Sequence, residues 1–323
     1  MKIFKTINLK GVGKKYSGKT RDFYITNGKR IIISTDRISA FDKVLDYIPY
    51  KGQVLNLLSV FWFDKTKNII SNHLVSTPHS NVMIVKNAKL IPIEMVVRGY
   101  ITGVTGTSIW GSYEKGERII YGLKFKNNLR KNQKLPKPII TPTTKAEKGH
   151  DQRLTEKEIL KKQIVDKKMW NQMKKTALKL FERGTKICAK GGIILVDTKY
   201  EFGICKNKLM LIDEIHTPDS SRYFYSDGYA ERQKKGEAQK QLSKEFVREW
   251  LMANGFQGKD GQKIPEMTDE VVKNISERYI ELYENILGEK FQRADASNVL
   301  TRVEANINSF LKSSKTQKQA VNS

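Results

Sequence analysis

The sequence predicts an α+β protein with mainly antiparallel sheets followed by C-terminal helices. Short apolar segments, alternating or β-branched, predict the strands, and the turn pair Asn27-Gly28 joins two of them into a hairpin. Between residues 237 and 311 the apolar residues recur at helical spacing, with one Gly-rich break at GFQGKDGQ. A chain of 323 residues has room for one large domain or for two to three lobes.

Charge is the first clue to function. The chain has 59 Lys and Arg against 34 Asp and Glu, a net charge of +25 at pH 7, so nucleic acid, a membrane surface or phosphorylated small molecules are candidate partners. Cys188 and Cys205 are the only cysteines, which indicates a reducing compartment rather than a disulfide framework. The apolar runs are far shorter than the roughly 18 residues of a membrane span. The N-terminus lacks the apolar core of a signal peptide, so we expect a cytoplasmic protein with no membrane partner.

A glycine-bearing segment opens the chain. Residues Gly13–Thr20 read GKKYSGKT and match the P-loop pattern G-x-x-x-x-G-K-[ST]. A P-loop needs an apolar strand before it and a helix after it, whereas here polar residues precede the motif and a hairpin follows it. We therefore predict a glycine-bearing turn between antiparallel strands, similar in logic to the phosphate-covering loop of protein kinases. Lys19 and Arg21 would face a phosphate together, or would be solvated side chains of an edge strand.

The next predicted elements are a polar loop, a helix and two strands. The loop STDRISAFD leaves the hairpin and ends with Asp42. Apolar residues at helical spacing between Lys51 and Ile70 predict a helix that packs in the core. VMIVK, residues 82–86, and IPIEMVV, residues 91–97, are predicted strands, and the second of them ends at Arg98.

The middle of the chain holds most of the excess charge. Residues 121–190 contain twenty Lys and Arg and six Asp and Glu, a net +14, much of it on an amphipathic stretch at about 156–189. This is the pattern of ordinary surface helices with solvated lysines, and no nucleic-acid-binding module accompanies it, so we do not expect a nucleic-acid partner. Before it lies PKPIITPTTKAEKGHD, a predicted non-helical loop with Lys145, His150 and Asp151. A lone histidine in a loop is either a surface group or a catalyst, and both remain open.

Two predicted strands carry a group of acids and one lysine. In GGIILVDTKYEFG, residues Asp197, Lys199 and Glu201 follow a buried strand at spacing two and would project from one face. The return strand LMLIDEI ends with Asp213 and Glu214. Carboxylates delivered by adjacent strands suit Mg²⁺ bound together with nucleotide phosphates.

A predicted turn, HTPDSSRYF, follows and bears Asp219 and Arg222. Arg222 could bind a phosphate or a carboxylate with its guanidinium fork. The alternative is a surface salt-bridge network around the hairpin. At the end of the chain, the polar composition of residues 312–323 predicts a disordered tail.

Seven of these motifs occur together and in order: GKTRDFY, TDRISAFD, KGQVLNLLSVFWF, IPIEMVVRGYITG, PTTKAEKGHD, LVDTKYEFG and LIDEIHTPDSSRYF. In this the chain resembles the SAICAR synthetase family from about Leu9 to Phe291. The resemblance implies a ligase that joins a carboxyaminoimidazole ribonucleotide to L-aspartate with ATP and Mg²⁺, in de novo purine biosynthesis. It also implies a two-lobe fold related to kinases and ATP-grasp enzymes.

The resemblance implies a division of the chain and a set of site residues. The expected parts are a β-rich nucleotide-binding lobe (1–110), an α/β lobe with the substrate and metal site (111–236), C-terminal helices (237–311) and the tail (312–323). The implied ATP-binding residues are Gly18, Lys19, Arg21, Lys86, Leu90, Glu201 and Asp213, of which Glu201 and Asp213 also hold the metal. The implied substrate-binding residues are Arg98, Ser108, Lys199, Asp219 and Arg222, and the implied catalytic residues are Lys199, Asp197, Lys145 and Asp42.

The chemistry fits these residue types. A carboxylate is a poor electrophile, so the expected route is phosphoryl transfer from ATP to the imidazole carboxylate, followed by attack of the aspartate amine on the acyl phosphate. Such transfer needs positioning and charge neutralisation rather than a protein nucleophile. The general base for the amine stays open among Asp42, Asp197 and His150.

Two segments differ from the pattern that the family implies. ITGVTGTSIW has four extra residues, so Thr105 or Thr107 could take the place of Ser108. The segment KAEKGHD is one residue shorter, which leaves the roles of His150 and Asp151 open. The oligomeric state is not predicted.

Overall fold

The structure, a computed structural model, describes residues 3–145, 151–295 and 297–321, with side chains described as far as Lys312. The strands of the first part are β1 (Lys15–Ser17), β2 (Arg21–Thr26), β3 (Lys29–Ser34), β4 (Arg37–Ala40), β5 (Lys43–Tyr47), β6 (Leu74–His79), β7 (Val82–Lys86) and β8 (Lys89–Ile101). The later strands are β9 (Ile119–Ile120), β10 (Leu123–Lys124), β11 (Gln133–Ile140), β12 (Thr143–Thr144), β13 (Ile193–Cys205), β14 (Lys208–Ile212) and β15 (Ser221–Tyr225). The helices are α1 (Lys51–Thr66), α2 (Ile109–Glu114), α3 (Glu156–Lys161), α4 (Lys167–Lys190), α5 (Tyr229–Lys235), α6 (Glu245–Ala253), α7 (Asp269–Leu287) and α8 (Val299–Val321).

The first sheet is antiparallel, with strand order β1-β2-β3-β7-β6. The predicted hairpin is confirmed: β2 pairs with β3 across Asn27 and Gly28, which both have positive φ, as a tight two-residue turn requires. The P-loop-like segment forms β1 and a turn in which the amide of Gly18 donates to the carbonyl of Arg21 at 2.8 Å. Because strand β2 and not a helix follows it, the prediction against a P-loop is confirmed.

The second sheet has the order β11-β8-β13-β14, with β12 on β8 and β15 on β13. The strand predicted from GGIILVDTKYEFG is confirmed and runs over 13 residues. Its return through the Lys206-Asn207 turn to β14 is also confirmed. Arg222, predicted in a turn, lies instead on β15, where aromatic and β-forming neighbours pair with β13.

Two other expectations need correction, and one is confirmed. The Pro-rich loop contains strands β11 and β12, because β11 is an edge strand and an edge tolerates prolines that cannot donate a ladder hydrogen bond. The amphipathic stretch, predicted to form surface helices, is confirmed as two helices, α3 and α4, separated near Gln163, which has a φ of 50°. The tail predicted to be disordered continues α8 to Val321, with no Gly or Pro to end the helix.

The main core joins both sheets. It contains residues of β3 and β7, the buried face of α1, strands β8 and β13, and helices α4 and α7. The change from the first sheet to the second falls between β7 and β8, so β8 belongs with β13 although it lies before residue 110. Among the described helices, none combines the length and apolarity required to cross a bilayer.

A second core lies on the other face of the first sheet. There the N-terminal segment, with Phe4 and Ile7, packs with Ile31 of β3 and with Val303 and Ile307 of α8. The two ends of the chain therefore close the outer face of the first sheet together.

Candidate active site

A polar cleft of about 610 Å³ lies between the glycine-bearing turn of the first sheet and strands β8, β13 and β14 of the second. A smaller cavity of about 170 Å³ adjoins it on the side of β15 and α6. The residues that line both cavities are Glu94, Asp151, Lys199, Asp219 and Lys244. The predicted site residues that line the larger cavity are Gly18, Lys19, Arg21, Lys86, Leu90, Lys145, Lys199, Glu201, Asp213 and Asp219.

Two of the predicted acids lie side by side on neighbouring strands. Glu201 of β13 pairs in register with Ile212 of β14, and Asp213 is the next residue. Arg21, from the glycine-bearing turn, reaches Asp213 at 2.9 Å and Glu214 at 3.1 Å. Burial alone would raise the pKa of Asp213, but Arg21 and two lysines lower it below its ordinary value. The carboxylate is therefore ionised and in place before any ligand arrives.

Lys199 lies at the centre of the cleft. Its ammonium contacts Glu94 at 2.6 Å and Glu201 at 3.0 Å, and Lys145 contacts the other carboxylate oxygen of Glu201. The contact between Lys199 and Glu201 confirms the prediction that alternate residues of this strand project from one face. Burial favours the neutral amine, yet the surrounding carboxylates raise the pKa of Lys199 well above its ordinary value.

The donors for a divalent cation are carboxylates arranged around these ammonium groups. Within the described ranges no group of three or more His, Cys, Asp or Glu side chains forms a preassembled metal cage. Mg²⁺ bound with nucleotide phosphates needs only one or two protein carboxylates, and Glu201 and Asp213 supply that donor set. The residues present therefore fit a nucleotide-bound Mg²⁺.

The far end of the larger cavity is apolar. Phe23, Ile32, Val85, Ala88 and Ile212 line it. Two residues that line the cavity are joined by a backbone hydrogen bond, in which the amide of Lys86 donates to the carbonyl of His73 at 2.7 Å. Burial lowers the pKa of His73 to about 3, so its ring is neutral there. A flat apolar group bearing a charged end would match the shape of this cavity.

The smaller cavity is built around one buried carboxylate. Asp197 of β13 accepts from Arg98 of β8 at 3.0 Å and from Arg222 of β15 at 2.7 Å. In the sheet these two arginines are the register partners of Asp197 on its two sides. Glu245 holds the other side of Arg222 at 3.3 Å and contacts Arg248 at 2.6 Å. The cavity therefore presents fixed guanidinium groups, as recognition of phosphate or carboxylate requires.

The extra residues before α2 place Ser108 away from the cavities. Ser108 is fully buried and caps α2 by accepting from the amide of Gly111 at 3.3 Å. Its hydroxyl donates to the carbonyls of Gly103 and Thr105. Thr105 and Thr107 line the smaller cavity, so the placement favours these two alternatives as groups that meet a ligand.

Two other predicted residues lie at different depths. Asp42 pairs with Lys19 and lies outside the set of residues that line the two cavities. Asp219 is buried and engaged by Lys51 at 2.8 Å and by the Tyr279 hydroxyl at 2.6 Å. His150 lies outside the described residues, whereas Asp151 lines both cavities.

Sequence reasoning missed the contribution of α6. Lys244, Glu245 and Arg248 line the smaller cavity, although they come from the region predicted only as C-terminal helices. Their spacing is that of any charged helix surface, so the sequence holds no signal that separates them from solvated residues. Sequence reasoning also assigned no role to Glu94 of β8, which lines both cavities.

Comparison with known proteins decides the family. The model of the SAICAR synthetase family matches residues 14–265. The chain belongs to the SAICAR synthetase family. Membership of SAICAR synthetases assigns the chain to the ligase step of purine biosynthesis.

Relatives and solved structures agree with membership of the SAICAR synthetases. The phosphoribosylaminoimidazole-succinocarboxamide synthase of Bacteroides thetaiotaomicron is 54% identical over 307 residues, 94% of this chain and 96% of the relative. That of Cytophaga hutchinsonii is 52% identical over 293 residues, 90% of this chain and 93% of the relative.

Two solved structures share the mixed architecture of helices and antiparallel sheets. The SAICAR-synthase from Saccharomyces cerevisiae complexed with SAICAR has a TM-score of 0.75 at 33% identity, covering 90% of this chain and 99% of the other. A type-2 SAICAR synthetase in complex with ADP has a TM-score of 0.65 at 26% identity, covering 86% of this chain and 100% of the other.

Proposed function

We propose that this chain condenses 5-amino-1-(5-phosphoribosyl)imidazole-4-carboxylate with L-aspartate at the expense of ATP. The products are the succinocarboxamide, ADP and phosphate. The observation that carries the proposal is the pair of adjoining cavities, one with an apolar end and paired acids, the other with fixed guanidinium groups. Two phosphorylated substrates can then meet at the residues that the cavities share.

The larger cavity is the proposed ATP site. The adenine lies in the apolar end, against the connection from Lys86 to Leu90. Lys19 and Arg21 reach the phosphates from the glycine-bearing turn, beside Gly18. Glu201 and Asp213 would hold Mg²⁺, which when bound neutralises charge on the phosphates. The turn that covers the nucleotide supports a lobe arrangement related to that of kinases and ATP-grasp enzymes.

The smaller cavity is the proposed ribonucleotide site. Asp197 holds the guanidinium groups of Arg98 and Arg222 in place. These side chains therefore lose little conformational entropy when an anion binds to them. Thr105 and Thr107 add hydroxyl groups at its wall. The imidazole carboxylate of a ribonucleotide bound here would point toward Lys199 and Lys145.

The proposed chemistry is phosphoryl transfer followed by amide formation. A carboxylate oxygen of the ribonucleotide attacks the γ-phosphorus of ATP, and ADP leaves. Lys145 and Lys199 neutralise the charge that develops on the transferred phosphoryl group. Stabilisation of this charge is the largest contribution to the rate of such reactions. The aspartate amine then attacks the carbonyl carbon of the acyl phosphate, and phosphate leaves with the electron pair of the broken bond.

The direct test is a reaction with purified protein, ATP, Mg²⁺, L-aspartate and the carboxyaminoimidazole ribonucleotide. We expect ADP release that depends on aspartate, together with formation of the succinocarboxamide. Absence of both over a range of pH and salt would refute the proposal.

A substitution locates the reaction in this cleft. Lys199→Ala is expected to abolish turnover while the far-ultraviolet circular dichroism stays that of the wild type. Lys168→Ala, on the exposed side of α4, is the matched control and should keep wild-type turnover. Near-normal turnover of Lys199→Ala would remove Lys199 from the site.

A further inference from the structure

We propose that Lys244 is a catalytic residue, which accepts a proton from the α-ammonium group of L-aspartate before the amine attacks. This inference rests on the proposed function and names the general base that the sequence leaves undecided. It is argued from the position of Lys244, from its partners and from the protonation that those partners allow.

The position of Lys244 is the junction of the two cavities. Its side chain lines both of them, together with Lys199. The amide of Lys244 donates to the carbonyl of Pro218 at 3.1 Å, and α6 begins at the next residue, so the backbone is fixed. A nucleotide in one cavity and a ribonucleotide in the other would bring the acyl group to this junction, where the attacking amine must also arrive.

The ion pairing of Lys244 is weak compared with that of most other cations in the cleft. Its ammonium is 3.5 Å from Oδ2 of Asp219, and the same oxygen is 2.8 Å from the ammonium of the fully buried Lys51. The other oxygen of Asp219 accepts from Tyr279 at 2.6 Å. Asp219 is therefore satisfied by α1 and α7, and Lys244 is the partner it can release.

Five other cations in the two cavities are held more closely. Arg21, Arg98, Lys199, Arg222 and Arg248 each contact a carboxylate at 3.0 Å or less. The carboxylates offset the cost of burying these positive charges, so the cations stay protonated. They are suited to binding anions, but a proton acceptor must be able to exist without its own proton.

The surroundings of Lys244 make that neutral form more accessible than it is in an ordinary lysine. Burial is the main reason that the pKa of Lys244 falls to about 8. Arg248 of α6 and Lys51 of α1 act in the same direction, while Asp219 and Glu214 oppose them. A lysine near two other cations in a partly buried site is the usual way in which an amine becomes a base at neutral pH.

The proton transfers balance. Neutral Lys244 takes one proton from the ammonium of aspartate and becomes cationic. The free amine forms the C–N bond at the carbonyl carbon of the acyl phosphate, and the C–O bond to phosphate breaks. The second proton of the nitrogen leaves with the departing phosphate, and Lys244 returns its own proton to water.

The test compares two nucleophiles in Lys244→Arg and Lys244→Met. Arginine keeps the charge but cannot give up its proton, and methionine keeps most of the volume without an amine. Hydroxylamine is uncharged at neutral pH and needs no base to attack an acyl phosphate. We expect both variants to lose aspartate-dependent turnover by about 10²- to 10⁴-fold, the range typical of a general base, and to keep hydroxamate formation with ATP and the ribonucleotide.

Each outcome decides the matter. If Lys244→Arg keeps wild-type turnover and pH profile with aspartate, the residue only binds an anion and the proposal is wrong. If hydroxamate formation falls as much as aspartate turnover, Lys244 serves an earlier step or the fold, and the proposal is again wrong. Lys259→Met, at an exposed position after α6, is the control for a lost lysine. A wild-type protein that forms neither product would instead refute the proposed function.

Discussion

Glu245 shows how a single buried carboxylate organises the smaller cavity. It is 2% exposed and lies between Arg222 and Arg248. Burial alone would raise its pKa, but the two guanidinium groups lower it to about 2. The carboxylate thus stabilises the folded state only while it is ionised, because a protonated acid leaves two buried cations without their shared partner.

This predicts a pH dependence of stability that Glu245 controls. The folded-state pKa lies below the ordinary value of 4.5, so the stabilisation is complete above that value and is lost as the pH falls toward about 2. The shift corresponds to about 3 kcal/mol. Urea unfolding between pH 7 and pH 3 should show a smaller loss of stability in Glu245→Gln than in the wild type.

The matched control is Glu266→Gln, at an exposed position before α7. It should follow the wild-type dependence on pH. An equal dependence in Glu245→Gln and the wild type would show that Glu245 does not carry this stabilisation.

At the scale of residues, the sequence could predict what a strand period determines. Lys199 lines a cavity together with Asp197 on one side and with Glu201 on the other, as spacing two predicts. Glu201 pairs with Ile212, the neighbour of Asp213. The sequence could not predict Lys244 or the placement of Ser108, because these depend on how a distant helix and a four-residue extension pack in three dimensions. Short-range periodicity carries no information about such contacts.

Among the elements, the turn between β8 and α2 packs closely against Ser108 and Arg222 at Gly103. Gly103 has a φ of +94°, and a Cβ there would lie 2.7 Å from the Cβ of Ser108 and 2.8 Å from the Nη2 atom of Arg222. A Cβ on Gly106, three residues later in the same turn, would meet no atom of the described residues within 4 Å. The two glycines therefore form a matched pair for substitution.

Gly103→Ala is expected to displace Arg222 and to raise KM for the ribonucleotide, with a loss of stability of about 1–3 kcal/mol from the unfavourable φ. Gly106→Ala should change neither quantity appreciably. Steady-state kinetics and thermal unfolding of the two variants give the comparison. Equal KM values would mean that the turn does not position the arginine.

The sheets and helices were predictable to the degree that local pattern determines them. The hairpin of β2 and β3, the segment VMIVK as β7 and the return of β13 into β14 are all as predicted. Strand β11 was not predictable, because its prolines are compatible with a strand only at the edge of a sheet, and the sequence does not say which strand is at the edge.

Helix α8 makes a further element-scale prediction. Ile307 is fully buried in the second core, between the N-terminal segment and the outer face of the first sheet. Ile307→Ala should lower the free energy of unfolding by about 2–5 kcal/mol. Ser309→Ala, two residues along on the exposed side, is the control and should stay close to the wild type. A small effect at Ile307 would show that α8 is not held on the sheet.

For the whole molecule, the net charge of +25 has two components. Several cations lie in the cleft, most of them close to a carboxylate. Many lysines lie instead on the exposed side of α3 and α4. Sequence composition reveals the total but not this division. The long-range field of the second group attracts anions without contacting them.

The expected consequence is an association rate that depends on salt. When NaCl is raised from about 0.05 to 0.5 M, the Debye length falls severalfold, so kcat/KM for ATP and for the ribonucleotide should decrease. Because the chemical step does not depend on that field, kcat at saturating substrate should change less. Insensitivity of kcat/KM to salt would show that the surface lysines do not steer the substrates.

The outer face of the first sheet is completed by residues from opposite ends of the chain, Phe4 and Ile7 on one side and Val303 and Ile307 on the other. During synthesis on the ribosome, the N-terminal part of the cover emerges before the sheet, but α8 begins only at Val299, long after β7 ends at Lys86. Until α8 has emerged, Ile31 and its neighbours have an uncovered apolar surface, which is a binding site for chaperones and a risk for aggregation. The first sheet is thus among the first parts of the molecule to be made and among the last to mature.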